Sequence, residues 1–270
     1  MGELLRVVFL AHAVPRHAGD LTGGFLLRLA AALRAEGVEV VAVAPSAEGL
    51  APSEQLDGVQ VYRSRYAPRR AERLAYAGEM HRRAASPAGA LALAGRLGAG
   101  ALAARRAARG ADLVHAHWWF PAGVQALAAR TGLPLVTTLH GTDVRLARSR
   151  PAARAACARV LRASARVTAV SGWLAEQAAG FAPGLPGPIS VAPMPVDDLA
   201  FSSGPGGQPR DELLFVGRLD RQKGAEVAVA ALARLTGPAA ALRLRVVGSG
   251  PEEPALRRLA GALGLAGRVL

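Results

Sequence analysis

The stretch that decides the fold class is Arg6–Ala44, RVVFLAHAVPRHAGDLTGGFLLRLAAALRAEGVEVVAVA. It opens with a short apolar run rich in β-branched residues, Arg6–Leu10, and closes with a second such run, Glu39–Ala44. Between them, apolar residues recur every three or four positions over Phe25–Leu33, which is the spacing of one helix face, and Gly37 provides a helix stop. The stretch therefore predicts a strand, a helix and a second strand, the repeating unit of a parallel sheet.

The same alternation continues along the rest of the chain. Short apolar runs predict strands, and helical stretches lie between most of them. This pattern is typical of an α/β protein whose parallel sheet carries helices on both faces. The remaining predicted strands are Val59–Arg63, Asp112–His115, Leu135–Leu139, Arg166–Val170, Ile189–Val191, Leu213–Val216 and Leu242–Val247.

A change in composition divides the chain into two domains. Residues 202–209, SSGPGGQP, have almost no apolar content and cannot pack a core. We predict an N-terminal domain over residues 1–195, a linker over 196–210 and a C-terminal domain over 211–270. The third strand of this last domain has only begun, at Val269–Leu270, whereas half of a doubly wound sheet needs three. We therefore expect the second domain to be incomplete and the chain to be a fragment.

The chain is strongly basic. Lysine and arginine number 33 against 20 acidic residues, a net charge of +13, and Lys223 is the one lysine. Nucleic-acid binding is not expected, because aromatic residues make up 4% and no RNA- or DNA-binding motif occurs. The arginine-rich stretch Arg63–Arg109 leaves two alternatives open, a solvated helical face and a peripheral contact with an anionic membrane surface.

Two further observations concern the compartment. The longest uncharged stretch, Gln177–Val196, contains five prolines, so we expect no membrane-spanning helix of about 20 apolar residues. The single cysteine, Cys157, cannot form an internal disulfide, which favours a reducing compartment. We expect a cytoplasmic protein, and peripheral contact with the inner face of the membrane stays one of the two alternatives for the arginine-rich stretch.

A glycine-rich loop follows the first predicted strand, and it ends at Gly23 and Gly24. Glycines let a backbone approach a ligand closely, and a helix N-terminus offers N–H groups suited to a phosphate. The loop contains neither the dinucleotide-binding fingerprint nor a P-loop. A simple tight turn therefore stays an equal alternative.

Two histidine-containing motifs follow later strands. His115 and His117 could serve a metal, but no third ligand is evident, and we take the alternation of side chains along a strand to separate them. No metal site is expected, and Trp118, Trp119 and Phe120 are expected to pack between domains rather than to form a stacking platform for a ligand. His140 and Gly141 follow the strand Leu135–Leu139 directly. There, a histidine can donate a hydrogen bond to a substrate hydroxyl, or it can simply end the strand beside an Asp that caps the next helix.

The sharpest signal is Gly217–Gly224, GRLDRQKG, which follows a strand and opens a helix. Arg218 and Lys223 can converge there on one polyanion, such as a diphosphate. The alternative is a surface turn with ordinary charges. Downstream, Gly248 and Gly250 form a second flexible loop at the end of the next strand.

Together these motifs resemble the family 4 type of retaining glycosyltransferase. The resemblance rests on the Gly23-Gly24 loop, on Asp112–Trp118, on His140–Asp143, on Ala165–Ser171 and on the two C-terminal glycine-containing loops, taken in order. It implies the GT-B fold, two facing Rossmann-like domains of which the second is incomplete here. It also implies sugar transfer from a nucleotide-diphosphate sugar to a glycan, lipid-linked or small-molecule acceptor, with the anomeric configuration retained.

The resemblance also assigns roles to residues of this chain. Arg218 and Lys223 would hold the donor diphosphate, and His140 would contact the donor sugar near the reacting carbon. No metal or other cofactor is implied, because the nucleotide sugar is a substrate. The glycines that would line the ligand-binding loops are Gly23, Gly24, Gly141, Gly217, Gly248 and Gly250.

The sequence departs from the family pattern in one respect that bears on activity. Family members carry a pair of glutamates, eight positions apart, in a later loop, and no such pair occurs here. The donor site is therefore expected to be incomplete. This leaves open an alternative from another class, a non-catalytic α/β nucleotide-binding or scaffold protein derived from the same fold.

Overall fold

In the computed structural model, the predicted apolar runs form strands of two separate sheets. The structure describes residues 4–20, 22–76, 80–196 and 211–270, with the backbone alone at positions 81 and 82. The chain divides into two units, unit 1 (Met1–Ala200) and unit 2 (Phe201–Leu270). The predicted linker over 196–210 lies, apart from Val196, outside the described residues.

Unit 1 is built on an eight-stranded sheet in the order β3-β4-β2-β1-β5-β6-β7-β8. All neighbouring strands run parallel except the pair β3 and β4 at one edge, which is antiparallel. The strands are β1 (Leu5–Leu10), β2 (Val38–Pro45), β3 (Ser53–Leu56), β4 (Val59–Ser64), β5 (Leu113–His117), β6 (Leu135–Leu139), β7 (Arg166–Ala169) and β8 (Ser190–Val191).

Helices cover both faces of this sheet, as the alternation predicted. Seven helices lie in unit 1 among the described residues: α1 (Gly24–Ala35), α2 (Met80–Arg83), α3 (Pro87–Ala107), α4 (Val124–Ala129), α5 (Thr142–Ser149), α6 (Pro151–Ala163) and α7 (Gly172–Phe181). On β1, Val7 and Phe9 pack in the same cluster as Leu26 of α1, whereas Val8 and Leu10 pack in the cluster of α3 and α4. Adjacent strand residues thus point to opposite layers of helices.

The expectation that no helix is long and apolar enough to span a membrane was wrong for helix α3. It has 21 residues and a mean hydropathy of 1.2, so by length and composition it is the one helix of the described chain that could cross a bilayer. One side of it is buried, at Arg96, Gly100, Ala101 and Ala104, and packs toward the sheet. The sequence argument missed this helix because it considered only uncharged stretches, and α3 contains three arginines.

Unit 2 contains a two-stranded parallel sheet, β9 (Glu212–Val216) and β10 (Arg243–Val247), with α8 (Ala225–Leu232) and α9 (Glu253–Ala262). Its core combines Leu219, Val229, Leu232 and Leu244 with α9 residues. The last apolar pair begins a third strand, because Val269 bridges Leu244 in parallel. The sequence therefore predicted the order of elements in unit 2.

Candidate active site

The candidate site of unit 1 lies where three neighbouring parallel strands end. Strands β1, β5 and β6 are adjacent in the sheet, so the loops that follow them meet at one carboxyl edge. The chain leaves β1 toward β2 on one side and returns to β5 on the other side, which makes this position a topological switch point. Open α/β sheets bind ligands at such points.

The glycine loop after β1 is held by close backbone contact. Gly23 has a φ of 76° and is the N-cap of α1, and a Cβ there would lie 2.5 Å from the carbonyl oxygen of Ala13. Gly24, the first residue of α1, meets only the end of the Arg28 side chain. Gly23 is therefore required by the geometry of the loop itself, and the ligand-binding role of both glycines stays a prediction.

Asp20 organises the same loop, and the sequence analysis gave it no role. Its carboxylate accepts hydrogen bonds from Arg16 Nε at 2.6 Å and from the backbone N–H of Thr22 at 3.0 Å. The hydrogen bond from Arg16 is the main reason that the pKa of Asp20 lies well below its usual value. An Asp three residues ahead of Gly23, placed to form an Asx-type turn, is the sequence signal that could have indicated this role.

His140 and Gly141 follow β6 and are fixed by Asp143. The Asp143 carboxylate accepts hydrogen bonds from the backbone N–H groups of His140 (3.1 Å), Gly141 (2.9 Å) and Trp119 (3.3 Å). Gly141, with a φ of 112°, is the N-cap of α5. Asp143 therefore folds the loop after β6 onto the loop after β5, a role beyond helix capping that the sequence did not reveal.

Aromatic rings surround the imidazole of His140. The ring of Trp118 lies 4.3 Å from it, at an interplanar angle of 32°, and the ring of Phe25 lies 5.2 Å from it. Phe25 follows Gly24, so the structure brings the loops after β1, β5 and β6 together around His140. Trp119 is buried inside unit 1, where its indole N–H donates to the carbonyl oxygen of Asp143 at 2.7 Å, so the expectation that it packs between domains was wrong.

The two histidines of β5 stack on each other. Their rings lie 4.2 Å apart, and both contact Phe9 edge-on. The expectation that strand alternation separates them was wrong, because residues two positions apart face the same side of a sheet. Across the described residues, no group of three or more His, Cys, Asp or Glu side chains is placed to hold a metal ion.

Burial keeps the histidines of this edge neutral. Loss of hydration is the main cause that lowers the pKa of His140 to about 3 and of His115 to about 4. His117 is buried completely, and its pKa lies well below the ordinary value for the same reason. His12, which follows β1, has a pKa of about 3 through burial and the adjacent Arg96. At neutral pH these rings act as neutral hydrogen-bonding groups.

In unit 2, Gly217–Gly224 occupies the position that its sequence predicted, between the end of β9 and the start of α8. Gly224 is the N-cap of α8, with a φ of 70°. Arg218 is exposed and pairs with Asp220, with Nη2 2.6 Å from a carboxylate oxygen. The Lys223 side chain makes no ion pair with any residue in the described ranges. The turn thus presents three cations to solvent: Arg218 pairs with Asp220, Arg221 pairs with Glu252, and Lys223 has no ion pair with the described residues.

The loop after β10 lies directly beside this turn. The backbone N–H of Gly217 donates to Val247 and that of Leu219 donates to Ser249. A Cβ on Gly248 would clash with the carbonyl oxygen of Gly217, and one on Gly250 would clash with that of Leu219. Close approach of the two loops accounts for both glycines, and their ligand contacts stay predictions.

Comparison with known proteins identifies two glycosyltransferase families that this chain matches. Residues 23–198 match Glycosyltransferase Family 4, and residues 202–270 match Glycosyl transferases group 1. D-inositol 3-phosphate glycosyltransferase of Acidothermus cellulolyticus is 32% identical over 191 residues, which are 59% of this chain and 42% of that protein. The chain therefore matches less than half the length of this curated relative.

Solved structures agree on the fold. HepE of Anabaena, determined in complex with UDP-glucose, has a TM-score of 0.66 at 17% identity, over 98% of this chain and 68% of HepE. An α,α-trehalose-phosphate synthase (UDP-forming) from Burkholderia vietnamiensis has a TM-score of 0.63 at 15% identity, over 96% of this chain and 67% of its own. The prediction of a GT-B α/β fold is confirmed. Because the match to Glycosyltransferase Family 4 spans residues 23–198, more than half of the chain, the chain belongs to that family.

Proposed function

We propose that this chain belongs to an enzyme that transfers a sugar from a nucleotide-diphosphate sugar to a glycan, lipid-linked or small-molecule acceptor. The observation that carries the proposal is the order of the two family matches, 23–198 and 202–270, each containing its expected loop at a carboxyl sheet edge. Of the proteins named above, the Acidothermus relative is named a glycosyltransferase, HepE was solved in complex with UDP-glucose, and the Burkholderia synthase is named as UDP-forming. No metal or cofactor is part of the proposal.

The donor diphosphate is proposed to bind the turn Gly217–Gly224. Lys223 supplies a cation that makes no ion pair with the described residues, and Arg218 supplies a guanidinium that pairs with Asp220 when no ligand is bound. Two cations beside a helix N-terminus stabilise the charge that develops on a departing diphosphate. Gly217, Gly248 and Gly250 are proposed to lie beside the bound diphosphate, in the two loops that approach each other there.

His140 is proposed to donate a hydrogen bond to a hydroxyl of the donor sugar. Its ring is neutral and lies against the ring of Trp118, and its backbone N–H is bound by Asp143, so the residue is already positioned before ligand binds. Gly23, Gly24 and Gly141 line the loops on either side. We also propose that the anomeric configuration is retained, which NMR of the anomeric proton in the product tests directly.

Calorimetric titration of the chain with UDP, GDP and ADP tests the proposed donor site. We expect one nucleoside diphosphate to bind, and Lys223→Ala to weaken it about tenfold, or roughly 1.4 kcal/mol. Arg221→Ala is the matched control, because Arg221 is exposed on the same turn and pairs with Glu252. Equal weakening by both variants, or no binding of any nucleotide, would contradict the proposal.

An assay of nucleoside diphosphate release from a panel of nucleotide sugars separates the enzyme from the alternative binding protein. Lys223-dependent release that rises with added acceptor supports transfer. Nucleotide binding without release under any acceptor condition favours the non-catalytic alternative.

We further propose a cytoplasmic location with peripheral contact at the inner, anionic membrane face, through α3. The outer side of α3 exposes Leu91 (76%) and Leu102 (49%), and residues 80–111 contain six arginines and no acidic residue. A groove of about 560 Å³ beside α3 is lined by Arg106 and Arg109, which make no ion pair with described residues. Apolar side chains flanked by arginines are the features that bind anionic bilayers.

Vesicle sedimentation tests this contact. We expect binding to phosphatidylglycerol-containing vesicles and little binding to phosphatidylcholine alone. The double variant Leu91→Glu, Leu102→Glu should lose it, whereas Leu263→Glu, an exposed leucine of unit 2, should not. Equal binding by both variants would contradict the assignment of α3.

A further inference from the structure

A second histidine lies directly behind His140. Nδ1 of His117 is 3.2 Å from Nε2 of His140, and the two ring centroids are 5.4 Å apart. His117 sits on β5 and His140 follows β6, and these strands are paired, with His117 opposite Thr138. Strand pairing therefore fixes the distance between the two rings.

Only one proton can lie between these two nitrogens. Burial holds both imidazoles neutral, since it lowers the pKa of each far below the usual range. In a neutral imidazole one nitrogen is a donor and the other an acceptor. The hydrogen bond therefore couples the two tautomers: the ring that donates here has a bare second nitrogen, and the ring that accepts carries its proton on the far side.

The second nitrogen of His117 decides between the two arrangements. Its Nε2 is buried and has no hydrogen-bond partner among the described residues. If His140 donated, Nε2 of His117 would carry an orphaned buried N–H. If His117 donates, Nε2 is an under-satisfied acceptor, and buried acceptors without partners are less rare than buried N–H groups without them. The second arrangement is favoured.

We propose that His117 is a positioning residue that donates from Nδ1 to Nε2 of His140, so that His140 carries its proton on Nδ1. This nitrogen makes no hydrogen bond to any residue the structure describes, while the backbone N–H of His140 is bound by Asp143 and its ring lies against Trp118. His140 is thereby set as a donor toward a ligand hydroxyl. The assignment rests on the proposed function only for the identity of that ligand.

His115 provides a matched control for His117. It lies two residues away on the same strand face, is partly buried and stacks on His117, but its Nε2 bonds to Thr138 Oγ1 at 2.7 Å rather than to His140. Replacing it removes a buried imidazole from the same cluster without removing the hydrogen bond to His140. A general packing effect would appear in both variants, and a tautomer effect would appear at position 117 alone.

Long-range proton–nitrogen NMR of the histidine-labelled chain, without ligand, tests the proposal directly. We expect His140 to show a protonated Nδ1 and a bare Nε2, and His117 the same tautomer. A protonated Nε2 on His140 would overturn the proposal. Because the unsubstituted chain is observed, this result does not depend on whether any variant folds or any nucleotide binds.

Variants then measure the consequence. His117→Phe keeps a ring but removes the donor, so we expect the nitrogen spectrum of His140 to shift toward the other tautomer or a mixture. His117→Asn, whose amide can donate from a similar position, should restore the spectrum. His115→Phe should leave it unchanged. A His140 spectrum that responds equally to His117→Phe and His115→Phe would overturn the proposal.

Donor binding supplies the functional readout. Where a nucleotide sugar binds, His117→Phe should weaken it severalfold while the affinity for the free nucleoside diphosphate, which lacks the sugar, stays unchanged. Equal weakening of both ligands would overturn the link to the sugar. If no nucleotide binds at all, the proposed function fails, but the NMR result still decides the role of His117.

Discussion

Both units hold polar groups at the carboxyl edge of a parallel sheet, but they differ in how these groups are bound. In unit 1 the polar groups are buried and bound to each other: Asp143 joins two loops, and His117 lies behind His140. In unit 2 the Gly217–Gly224 turn is exposed, and Arg218 is held by one ion pair with Asp220. The side chains of the first site are therefore held in place before a ligand binds, whereas the exposed side chains of the second can change conformation on binding.

The core of unit 1 is also more deeply buried than that of unit 2. The sheet of unit 1 has eight strands with helices on both faces, and Val8, Phe9 and Leu10 in its centre are almost fully buried. The two strands of unit 2 leave Leu214 and Val216 65% and 68% exposed. We therefore expect substitutions and pH to act strongly on the stability of unit 1, and substitutions in the exposed turn of unit 2 to act mainly on ligand binding.

The largest expected effect is the pH dependence of unit 1. Its buried histidines His12, His115 and His140 have pKa values of about 3 to 4, against 6.5 when unfolded. As the pH falls below about 6.5, the unfolded chain binds protons that the folded chain does not, so the free energy of unfolding decreases. Each histidine contributes up to about 1.4 kcal/mol per pH unit, and Asp143, whose pKa burial raises, opposes this.

Urea unfolding between pH 5 and 8, followed by tryptophan fluorescence, measures this dependence. The three tryptophans, at 118, 119 and 173, all lie in unit 1, and residues 201–270 contain no histidine. The fluorescence transition should move to lower urea as the pH falls. A transition that stays in place between pH 5 and 7 would show that the histidines are hydrated and that this edge is not preorganised.

The next largest effect is expected from Asp143→Ala. It leaves the backbone N–H groups of His140, Gly141 and Trp119 without their acceptor in a buried site, which should cost about 3 kcal/mol of unfolding free energy. Asp143→Asn keeps one acceptor oxygen and should cost less. Denaturant unfolding compares the stability of the three proteins. Equal stability of Asp143→Ala and the unsubstituted chain would contradict the claim that Asp143 holds the loops after β5 and β6 in place.

In unit 2, Gly248→Ala should have a moderate effect. A Cβ at this position would clash with the Gly217 carbonyl oxygen and force the two loops apart, at a cost of about 1 to 3 kcal/mol. Gly217→Ala is the control, because the nearest atom to its Cβ would lie 3.7 Å away. Hydrogen exchange of β9 and β10 amides reports the local stability, and equal exchange in the two variants would contradict the close approach of the loops.

The smallest effect on stability is expected from Asp220→Ala, because exposed ion pairs contribute less than about 1 kcal/mol. Its consequence should appear in binding instead. In the unsubstituted chain, a diphosphate must compete with the Asp220 carboxylate for the guanidinium of Arg218. Because Asp220→Ala removes this competitor, the affinity for nucleoside diphosphate should rise severalfold. Calorimetry measures it, and a large loss of stability in this variant would mean that the turn is as preorganised as unit 1.

The sequence predicted the strands well wherever burial alone determines them. The predicted bounds of Leu135–Leu139 match β6, and those of the other parallel strands differ by a few residues at most. Strand β3 was missed because its residues, SEQL, are mostly polar. The signal for it was present: Asp57-Gly58, with φ values of 49° and 76°, is the two-residue turn that joins β3 to β4.

The candidate site was predicted only in part. Positions that follow a strand, such as His140 and Arg218, can be located from the strand pattern, because parallel strands end at one edge. The contact of His117 with His140 and the hydrogen bond from Trp119 to Asp143 depend on which strands are neighbours and in what register. A local pattern carries no information about either, so these roles emerged only from the fold.

The most direct test of the proposed donor site uses the single lysine. An amine-reactive reagent modifies Lys223 and the chain terminus, and mass spectrometry of the peptides measures both rates with and without UDP, GDP, ADP or pyrophosphate. We predict that one nucleoside diphosphate slows modification of Lys223 in a saturable manner and leaves the terminus unaffected. Modification of Lys223 at the same rate at every nucleotide concentration would contradict a diphosphate site in this turn.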